Sequence, residues 1–250
     1  MEEIMKKLLR LIYAIICSIL VLFLAACSSA EEHPEFLTDH EWVYFTYCDE
    51  TISFGDDGSY AYYCACGSPV GDSDLYETYK YDPDTSDITL SPKGSDSSIK
   101  VLRYEKSRLL LKFSDGVKEF YDAGDPLASN VHPDMDYDPD NYIQDFSSYL
   151  TIISKNGDSV TTAPAGYDAD YPEYDKYMLD EKLAADARFY EWNLTITVTD
   201  EGEQPDSSYM KLSAQQVERL LDGGPAAGYV WYNADAEIEK ILFYGKTIIE

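Results

Sequence analysis

The chain has few of the residues from which most catalytic sites are built. It contains three histidines, His33, His40 and His132, and they are scattered along the sequence. No Gly-x-Ser-x-Gly, His-Glu-x-x-His, phosphate-binding glycine loop or Cys-His pattern occurs in it. The carboxylates are too numerous to single out the pair that a glycosidase needs. The sequence therefore predicts that the protein is not an enzyme, and an extracellular hydrolase is the least favoured alternative.

Positive charge is scarce as well. The 250 residues include 19 lysines and arginines against 47 aspartates and glutamates, which gives a formal net charge of −28. Beyond the amino terminus the basic residues form no patch along the sequence, and so acidic a body repels nucleic acid and anionic lipid headgroups. We therefore expect no nucleic-acid partner and a soluble mature body with a solvated acidic surface.

Residues 1–30 carry the features of an export signal. Lys6, Lys7 and Arg10 precede an unbroken apolar run over residues 11–26, and small residues follow it. This order of charge, apolar stretch and small-residue exit is typical of a secretory signal. The run also approaches the ~20 residues that span a bilayer. A retained transmembrane helix is therefore the alternative interpretation.

The end of the apolar run favours the secretory signal over the transmembrane helix. Residues 24–27, Leu-Ala-Ala-Cys, resemble the lipobox of bacterial lipoproteins, in which an aliphatic residue and two small residues precede a cysteine. The resemblance implies that residues 1–26 are removed as a signal peptide and that Cys27 is acylated, for example with palmitate. Two acyl chains anchor a protein stably where one does not. We expect the cell membrane as the location, on the extracytoplasmic face, with residues 27–37 as the lipidated tether.

Residues 38–122 alternate short β-prone stretches with turn residues. Short strands at a spacing of roughly 8–12 residues are typical of a β-barrel or a β-sandwich. Leu109, Leu111 and Phe113 alternate onto one face, which is the pattern of a half-buried strand. The predicted strands are Trp42–Cys48, Tyr60–Cys64, Tyr76–Tyr81, Ile88–Leu90, Ile99–Tyr104, Leu109–Phe113 and Val117–Tyr121.

This region also resembles a known family, the small lipocalin-like β-barrels found in many bacterial lipoproteins. The residues that carry the resemblance are Trp42, the Phe-Gly-Asp-Asp-Gly-Ser-Tyr stretch at 54–60, Asp87–Leu90, and Leu109–Leu111 followed by Asp115-Gly116. Glu41 stands where the family has a glycine before the tryptophan. The resemblance implies an antiparallel barrel over residues 38–122 and carries over no site residues.

Beyond an acidic linker at residues 123–139, the pattern indicates an α+β domain over residues 140–250. Asp138 suits a helix N-cap, Pro139 the first helical position and Gly157 the residue after the end. Between them, six apolar residues recur at helical spacing: Tyr142, Ile143, Phe146, Tyr149, Leu150 and Ile153. The fold class predicted for the whole chain is therefore mainly β with an α+β second part.

The rest of the second domain mixes helices and strands. Trp192–Thr199 alternates apolar and polar residues and predicts a strand. Ser213 suits the N-cap of a helix that ends at Leu221, before Gly223-Gly224. The other elements predicted are a short helix at Tyr177–Ala187 and a hairpin of Tyr229–Tyr232 with Glu237–Tyr244.

Three cysteines remain after the leader and the lipidated residue, namely Cys48, Cys64 and Cys66. An exported protein can keep disulfides. Cys64 and Cys66 lie on one face of a predicted strand, and a hairpin separates them from Cys48. A short hairpin loop places Cys48 opposite Cys64, and a loop two residues longer places it opposite Cys66. Either bridge is predicted, with three free thiols as the alternative and zinc as a weaker one.

An acidic ladder in the linker is a candidate calcium site. Its aspartates occupy positions 1, 3, 5, 7 and 12 of an EF-hand-like loop, where alternate side chains can wrap one ion. Pro139 replaces the glycine that allows the turn, and the start of a helix is the alternative role of this segment. The five candidate ligands are Asp134, Asp136, Asp138, Asp140 and Asp145.

Tyrosine is over-represented, with 23 tyrosines against 9 phenylalanines. Exposed aromatic rings can stack on sugars or peptides. Ordinary strand composition is the alternative explanation, since tyrosine suits a half-exposed sheet. The face that carries Tyr60 and Tyr62 is the predicted binding surface.

These features together predict a membrane-anchored extracytoplasmic lipoprotein that binds a small ligand, a glycan or a partner protein without catalysis. The alternative is a structural or accessory component of the cell envelope that has no soluble ligand. The expected partners are the membrane, through the lipid anchor, and an unknown ligand or envelope protein. Apart from calcium, no cofactor is predicted.

Lipidation at Cys27 has a direct test. Full-length protein made in a bacterial host should incorporate radiolabelled palmitate and lose its leader, whereas the Cys27→Ser variant should do neither, because the thiol accepts the acyl chain. Cys17→Ser, inside the leader, is the matched control and should leave the labelling unchanged. An intact leader on the wild-type protein, or equal labelling of Cys27→Ser, contradicts the placement.

Overall fold

Eight short antiparallel strands between Glu41 and Asp122 form the first sheet. The computed structural model describes residues 33–38, 40–45, 49–65, 67–71, 76–91, 98–125, 146–165, 172–199 and 202–249. The strands are β1 (Glu41–Tyr44), β2 (Glu50–Phe54), β3 (Tyr60–Cys64), β4 (Thr78–Asp82), β5 (Asp87–Ser91), β6 (Ser98–Glu105), β7 (Arg108–Lys112) and β8 (Val117–Asp122).

These strands close almost completely into a barrel. Each pairs with its neighbour in the chain except β3 with β4, and β8 returns to pair with β1. At the remaining gap Ser59 bridges to Thr78, the Tyr60 N–H donates to the Glu77 carbonyl at 3.0 Å, and the Tyr79 N–H donates to the Gly58 carbonyl at 2.9 Å. An up-and-down antiparallel barrel of this kind is the lipocalin-like architecture that the resemblance implied. The mainly-β fold class is confirmed.

Trp42 closes one end of this barrel together with a short helix, α1 (Glu35–Thr38). Trp42 and Leu37 are both fully buried. The Trp42 indole N–H donates to the Leu37 carbonyl at 3.4 Å. Phe36 stacks on Tyr104 beside them, with ring centroids 4.9 Å apart. Buried side chains therefore fill this end of the barrel.

The first hairpin differs from the prediction. The stretch from Trp42 to Cys48 was expected to be one strand, but β1 ends at Tyr44 and a separate strand, β2, enters the hairpin. In β2, Ile52 and Phe54 point into the barrel and are buried. Phe54 pairs with Tyr60 and Glu50 with Cys64, which is the register of the longer of the two loops expected.

The second sheet has six strands and closes on itself through one long strand. The elements are β9 (Ser148–Asn156), β10 (Ser159–Pro164), a 3-10 helix (Pro172–Tyr177), β11 (Leu179–Thr199), β12 (Gly202–Leu212), α2 (Ala214–Asp222), β13 (Ala226–Tyr232) and β14 (Ile238–Ile249). The strand order is β10-β9-β13-β14-β11-β12, and the start of β11 also pairs with β10. Five strands thus form a second, smaller barrel, and β12 extends the sheet from β11. The β11–β14 pair is parallel and the other pairs are antiparallel.

Several predictions for this part are confirmed. Trp192–Thr199 is strand, as the end of β11, and the predicted hairpin is formed by β13 and β14. Helix α2 is capped by Ser213, whose side chain accepts from the Gln216 N–H in a capping box, and Gly223 is the C-cap. These are the local signals on which the prediction of the helix depended.

Two helices were predicted wrongly. The helix expected after Pro139 is strand β9 where the structure describes it, because Leu150 and Ile152 face the second barrel while Tyr149 also contacts the core of the first. Burial on both faces imitates helical spacing. Tyr177–Ala187 is the end of the 3-10 helix followed by β11, since pairing with β10 and β14 overrides the helix propensity of its alanines. The second part is therefore a sheet with one longer helix.

Strand β7 shows how the two barrels meet. Leu109 and Leu111 belong to the core of the first barrel, whereas Leu110 belongs to the core of the second. All three are fully buried. Residues Pro34–Glu250 accordingly form one compact unit. Among the described residues, none lies in a helix of the length and apolarity that a membrane span requires.

Candidate functional site

Four charged side chains lie between the two barrels and are called the junction cluster: Arg103, Arg108, Glu119 and Glu181. Arg103 extends from β6, Arg108 from β7 and Glu119 from β8, all in the first barrel, whereas Glu181 extends from β11 in the second. Arg108 and Glu119 have no exposed surface, and Glu181 is 2 % exposed. Two positive and two negative charges share this space, so the cluster is neutral as a whole.

Each carboxylate of the junction cluster is held by both arginines. Arg103 contacts Glu119 at 2.8 Å and Glu181 at 2.5 Å. Arg108 donates to both Glu119 oxygens, at 3.0 and 3.1 Å, and to Glu181 at 3.2 Å. Such charge-assisted bonds are the stronger class of hydrogen bond.

Neutral side chains add further hydrogen bonds to the two carboxylates of the junction cluster. Ser148 donates to Glu119 Oε2 at 2.7 Å, and the Tyr121 hydroxyl donates to the same oxygen at 3.1 Å. The Tyr232 hydroxyl donates to Glu181 Oε1 at 2.7 Å, and Thr162 donates to Glu181 Oε2. Three of these four groups come from the second barrel: Ser148 reaches across to the first barrel's Glu119, whereas Tyr232 and Thr162 belong to the same barrel as Glu181.

The backbone joins the barrels at the same place. The Glu119 N–H donates to the Ser147 carbonyl at 2.8 Å, and the Ser147 N–H donates to the Val230 carbonyl at 2.8 Å. Ser147 Oγ also accepts from the Tyr232 N–H at 3.1 Å. Ser147 therefore links β8 of the first barrel to β13 of the second.

Opposite charges keep the junction cluster ionised. Burial would raise the pKa of Glu181, but the charges of Arg108 and Arg103 outweigh it and lower that pKa to about 2. The pKa of Arg108 lies well above its ordinary value: burial lowers it, and the charges of Glu119 and Glu181 more than compensate. A buried charge is tolerated only when it is paired in this way. The geometry indicates a structural junction, because every charge is already bonded and none is presented to a substrate.

The end of the first barrel away from Trp42 holds a small open cavity, called the mouth pocket. Its volume is about 110 Å³. A dry cavity of roughly 150 Å³ holds one benzene, so the mouth pocket takes a group of only a few heavy atoms. The lining residues used below are Tyr60, Tyr62, Tyr76, Phe113, Asp115 and Lys118.

Lys118 is caged beside this pocket. Its ammonium group donates to Glu50 and to the Tyr62 hydroxyl, both at 3.1 Å. It also lies 5.4 to 5.6 Å from the ring centroids of Tyr44, Tyr62 and Phe113. Cation–π contact and ion pairing together fix the lysine on the pocket wall.

Among the residues that line the mouth pocket, Tyr76 has an unusual hydroxyl group. It is 5 % exposed, and its buried hydroxyl finds no hydrogen-bond partner within the described part of the chain. A buried polar group without a partner is destabilising by about 1–3 kcal/mol. By contrast, the Tyr62 hydroxyl donates to Glu50. Burial raises the pKa of Tyr62, and the charge of Glu50 raises it further, so this phenol stays protonated.

The structure corrects the position of the predicted binding surface. Tyr60 and Tyr62 were expected to present an exposed stacking face, but they are 7 % and 5 % exposed and point into the barrel. The hairpin register puts these alternate residues of β3 on the inner face. They form pocket walls instead of an outer platform.

The other predicted site residues lie mostly outside the described residues. These are Cys27 and the candidate calcium ligands Asp134, Asp136, Asp138, Asp140 and Asp145. Cys64 is disulfide-bonded; Cys48 and Cys66 are not described, so its pairing stays a prediction. Within the described ranges, no group of three or more histidine, cysteine, aspartate or glutamate side chains is placed to hold a metal ion.

Sequence reasoning missed both the junction cluster and the mouth pocket. Arg108 and Glu119 were available as charged residues inside β-prone stretches, which is a signal of a buried pair. Glu181 is separated from them by more than sixty positions, and no local pattern connects it with them. Lys118 was likewise a charged residue inside a β-prone stretch. The groups that surround it, apart from Phe113, come from three other strands, which no local pattern connects.

Comparison with known proteins found no matching family model, no matching curated protein and no matching solved structure.

Replacing Glu181 tests the junction cluster through its pH dependence. A pKa lowered in the folded state gives stability that is present above about pH 4.5 and lost as the pH falls toward 2. Glu181→Gln should lower the free energy of unfolding at pH 7 by about 3–5 kcal/mol, because it leaves buried arginine charge uncompensated. Urea unfolding should show this deficit shrinking between pH 5 and pH 2.

Glu237→Gln is the matched control for that measurement. Glu237 also pairs with a lysine, Lys182, but in solvent, where ion pairs contribute little. Its effect at pH 7 should be much smaller than that of Glu181→Gln. Equal effects of the two variants, or a deficit for Glu181→Gln that does not change with pH, contradict the assignment.

Two tyrosines of the mouth pocket should respond in opposite directions to loss of the hydroxyl. Tyr76→Phe should raise the free energy of unfolding by about 1 kcal/mol, because it removes an unbonded buried hydroxyl. Tyr62→Phe should lower it by about 1.5–3 kcal/mol, because it removes bonds to the charged Glu50 and Lys118. Denaturant titration of ligand-free protein measures both free energies. A loss of stability in Tyr76→Phe contradicts the claim that the Tyr76 hydroxyl is buried without a hydrogen-bond partner.

Proposed function

We propose that the protein is a lipid-anchored, extracytoplasmic binding protein, without catalysis, whose ligand places a small group in the mouth pocket. The single observation that supports this most is Tyr76, a residue that lines the open cavity and whose buried hydroxyl has no partner in the described residues. A ligand oxygen would satisfy it. The lipobox-like signal supports the anchor at Cys27 and the location at the membrane.

The pocket's own groups favour binding over chemistry. Lys118 is bonded to Glu50 and Tyr62, and burial raises the pKa of Tyr60 so that its phenol stays neutral. A general base or nucleophile needs a group free to exchange a proton near neutral pH. The described lining has aromatic walls and fixed, paired charges instead, which suit recognition.

The residues that line the mouth pocket indicate which chemical group of a ligand would fit there. Tyr60 and Phe113 provide flat apolar surface, and Tyr76 provides one hydrogen-bond donor. The volume of about 110 Å³ limits the inserted part to a few heavy atoms. A compact group that combines an apolar face with one carbonyl, ether or hydroxyl oxygen fits these walls. It can be a whole small ligand or the end of a glycan or partner protein.

Cyclopentanone is a suitable probe, since it joins a five-membered apolar ring to one acceptor oxygen. Titrated into the full-length protein in detergent micelles, it should shift the NMR signals of residues around the pocket in a saturable way. Tyr76→Phe should weaken this binding by about tenfold, which corresponds to one hydrogen bond of about 1.4 kcal/mol.

Tyr104→Phe is the matched control, because Tyr104 is 41 % exposed and lies at the Trp42 end of the barrel. That variant should bind cyclopentanone like the wild type. Absence of saturable shifts in the wild-type protein, or an equal loss in both variants, contradicts the proposed site.

A further inference from the structure

The outward face of the second sheet carries a row of three aromatic rings. Trp192 on β11 pairs directly with Tyr209 on β12 and with Tyr244 on β14. Directly paired residues of adjacent strands project from the same face. The ring centroids of Trp192 and Tyr244 are 5.2 Å apart. Tyr209 is 56 % exposed and Tyr244 37 %, whereas Trp192 between them is 5 % exposed.

Cations lie beside this row on the same face. Two residues before Trp192, Tyr190 pairs with Lys211, and two before that, Arg188 pairs with Lys240. Positions 188, 190 and 192 share one face because side chains alternate along a strand. Arg188 and Lys211 are exposed. We call these residues the aromatic face: Arg188, Tyr190, Trp192, Tyr209, Lys211, Lys240 and Tyr244.

The charge of this face is opposite to that of the chain. The whole chain has a formal charge of −28, yet three cations meet here from three different strands. Glu191 points the other way, because it pairs with Met210 and with the buried core residue Phe243. Burial lowers the pKa of Lys240 and the nearby charge of Arg188 lowers it further, with Glu239 opposing them. Arg188 and Lys240 therefore repel each other, and an anion would relieve that repulsion.

A second observation also indicates a ligand. Trp192 is 95 % buried by its neighbours, and its indole N–H has no hydrogen-bond partner in the described residues. Lys240 lies 3.3 Å from the ring centroid of its cross-strand partner Trp231, which packs against the core of the first barrel. Donors, cations and rings thus lie on one face of the sheet.

We propose that the aromatic face binds an anionic polysaccharide. Sugar rings would stack on Tyr209 and Tyr244, and sugar carboxylates would pair with Arg188 and Lys211. Adjacent strands lie about 4.8 Å apart, so the three-ring row spans roughly 10 Å, the length of about two sugar residues. The exposed rings of Tyr209 and Tyr244 favour a saccharide over an acidic polypeptide, which would need the cations alone. This site is separate from the mouth pocket and does not depend on it.

Three polymers distinguish the classes of ligand that the aromatic face could bind: polygalacturonate, neutral pullulan and polyglutamate. Each is titrated into full-length protein in detergent micelles while tryptophan emission is recorded, since Trp192 lies on this face and Trp231 pairs with Lys240 at its edge, whereas Trp42 lies inside the first barrel. Polygalacturonate should bind saturably and weaken with added salt. Pullulan and polyglutamate should each bind at least tenfold more weakly, because one lacks the charge and the other lacks the rings.

Variants separate charge from stacking. The Arg188→Gln/Lys211→Gln double variant should weaken polygalacturonate binding at least tenfold, and Tyr209→Ala several-fold. Lys100→Gln/Lys112→Gln is the matched control, because it removes two exposed, directly paired lysines from the first barrel, and it should bind like the wild type. The proposal fails if polygalacturonate does not bind, if the control loses as much affinity, or if polyglutamate binds equally well and Tyr209→Ala has no effect.

Discussion

The ion pairs between Arg103, Arg108, Glu119 and Glu181 are the interaction on which the rest of the structure depends. Burying charge is unfavourable unless each ion is paired and fully hydrogen-bonded, and here the pairing is completed only when both barrels are present. The first barrel supplies both arginines and Glu119, and these three side chains together have an excess of one positive charge. Glu181 from the second barrel neutralises that excess. Either barrel alone would expose its part of the junction cluster and would lack the opposite charges that the other barrel supplies. The cluster therefore makes one cooperative unit of two closed sheets.

This constraint also shapes where ligands can bind. Along Leu109–Leu111 of β7 and Glu119–Tyr121 of β8 both faces are occupied, one by the first barrel's core and the other by the junction. The opposite end of the first barrel is closed by Trp42 and α1. The mouth pocket and the outward face of β11, β12 and β14 are left with accessible aromatic and polar groups. Rigid sheets present both, which limits the entropy lost on binding.

The sequence predicts the local structure of this protein better than its sites. Short β-prone stretches between turn residues identified most strands of the first barrel, and the Ser213 cap with its glycine stop identified α2, because these signals act within a few residues. The helix expected between Pro139 and Gly157 is a strand over Ser148–Asn156, because burial on both sides of a strand produces helical spacing. The junction cluster, the Lys118 cage and the aromatic face each unite residues from three or more strands, so their geometry arises from register and packing that no local pattern contains. Tyr60 and Tyr62 were singled out correctly as neighbours on one face but assigned to the wrong side of the sheet, which only closure of the barrel decides.

The interdependence of the two barrels can be measured by following each of them separately during urea unfolding. Exchange of backbone amides in β2 and β5 reports the first barrel, and exchange in β9 and β13 reports the second. Coupling through the junction cluster predicts that both sets open with the same free energy and the same urea dependence in the wild-type protein, and that Glu119→Gln separates them. Independent opening of the two barrels in the wild type, or a Glu119→Gln variant that still opens as one unit with unchanged stability, would contradict the account.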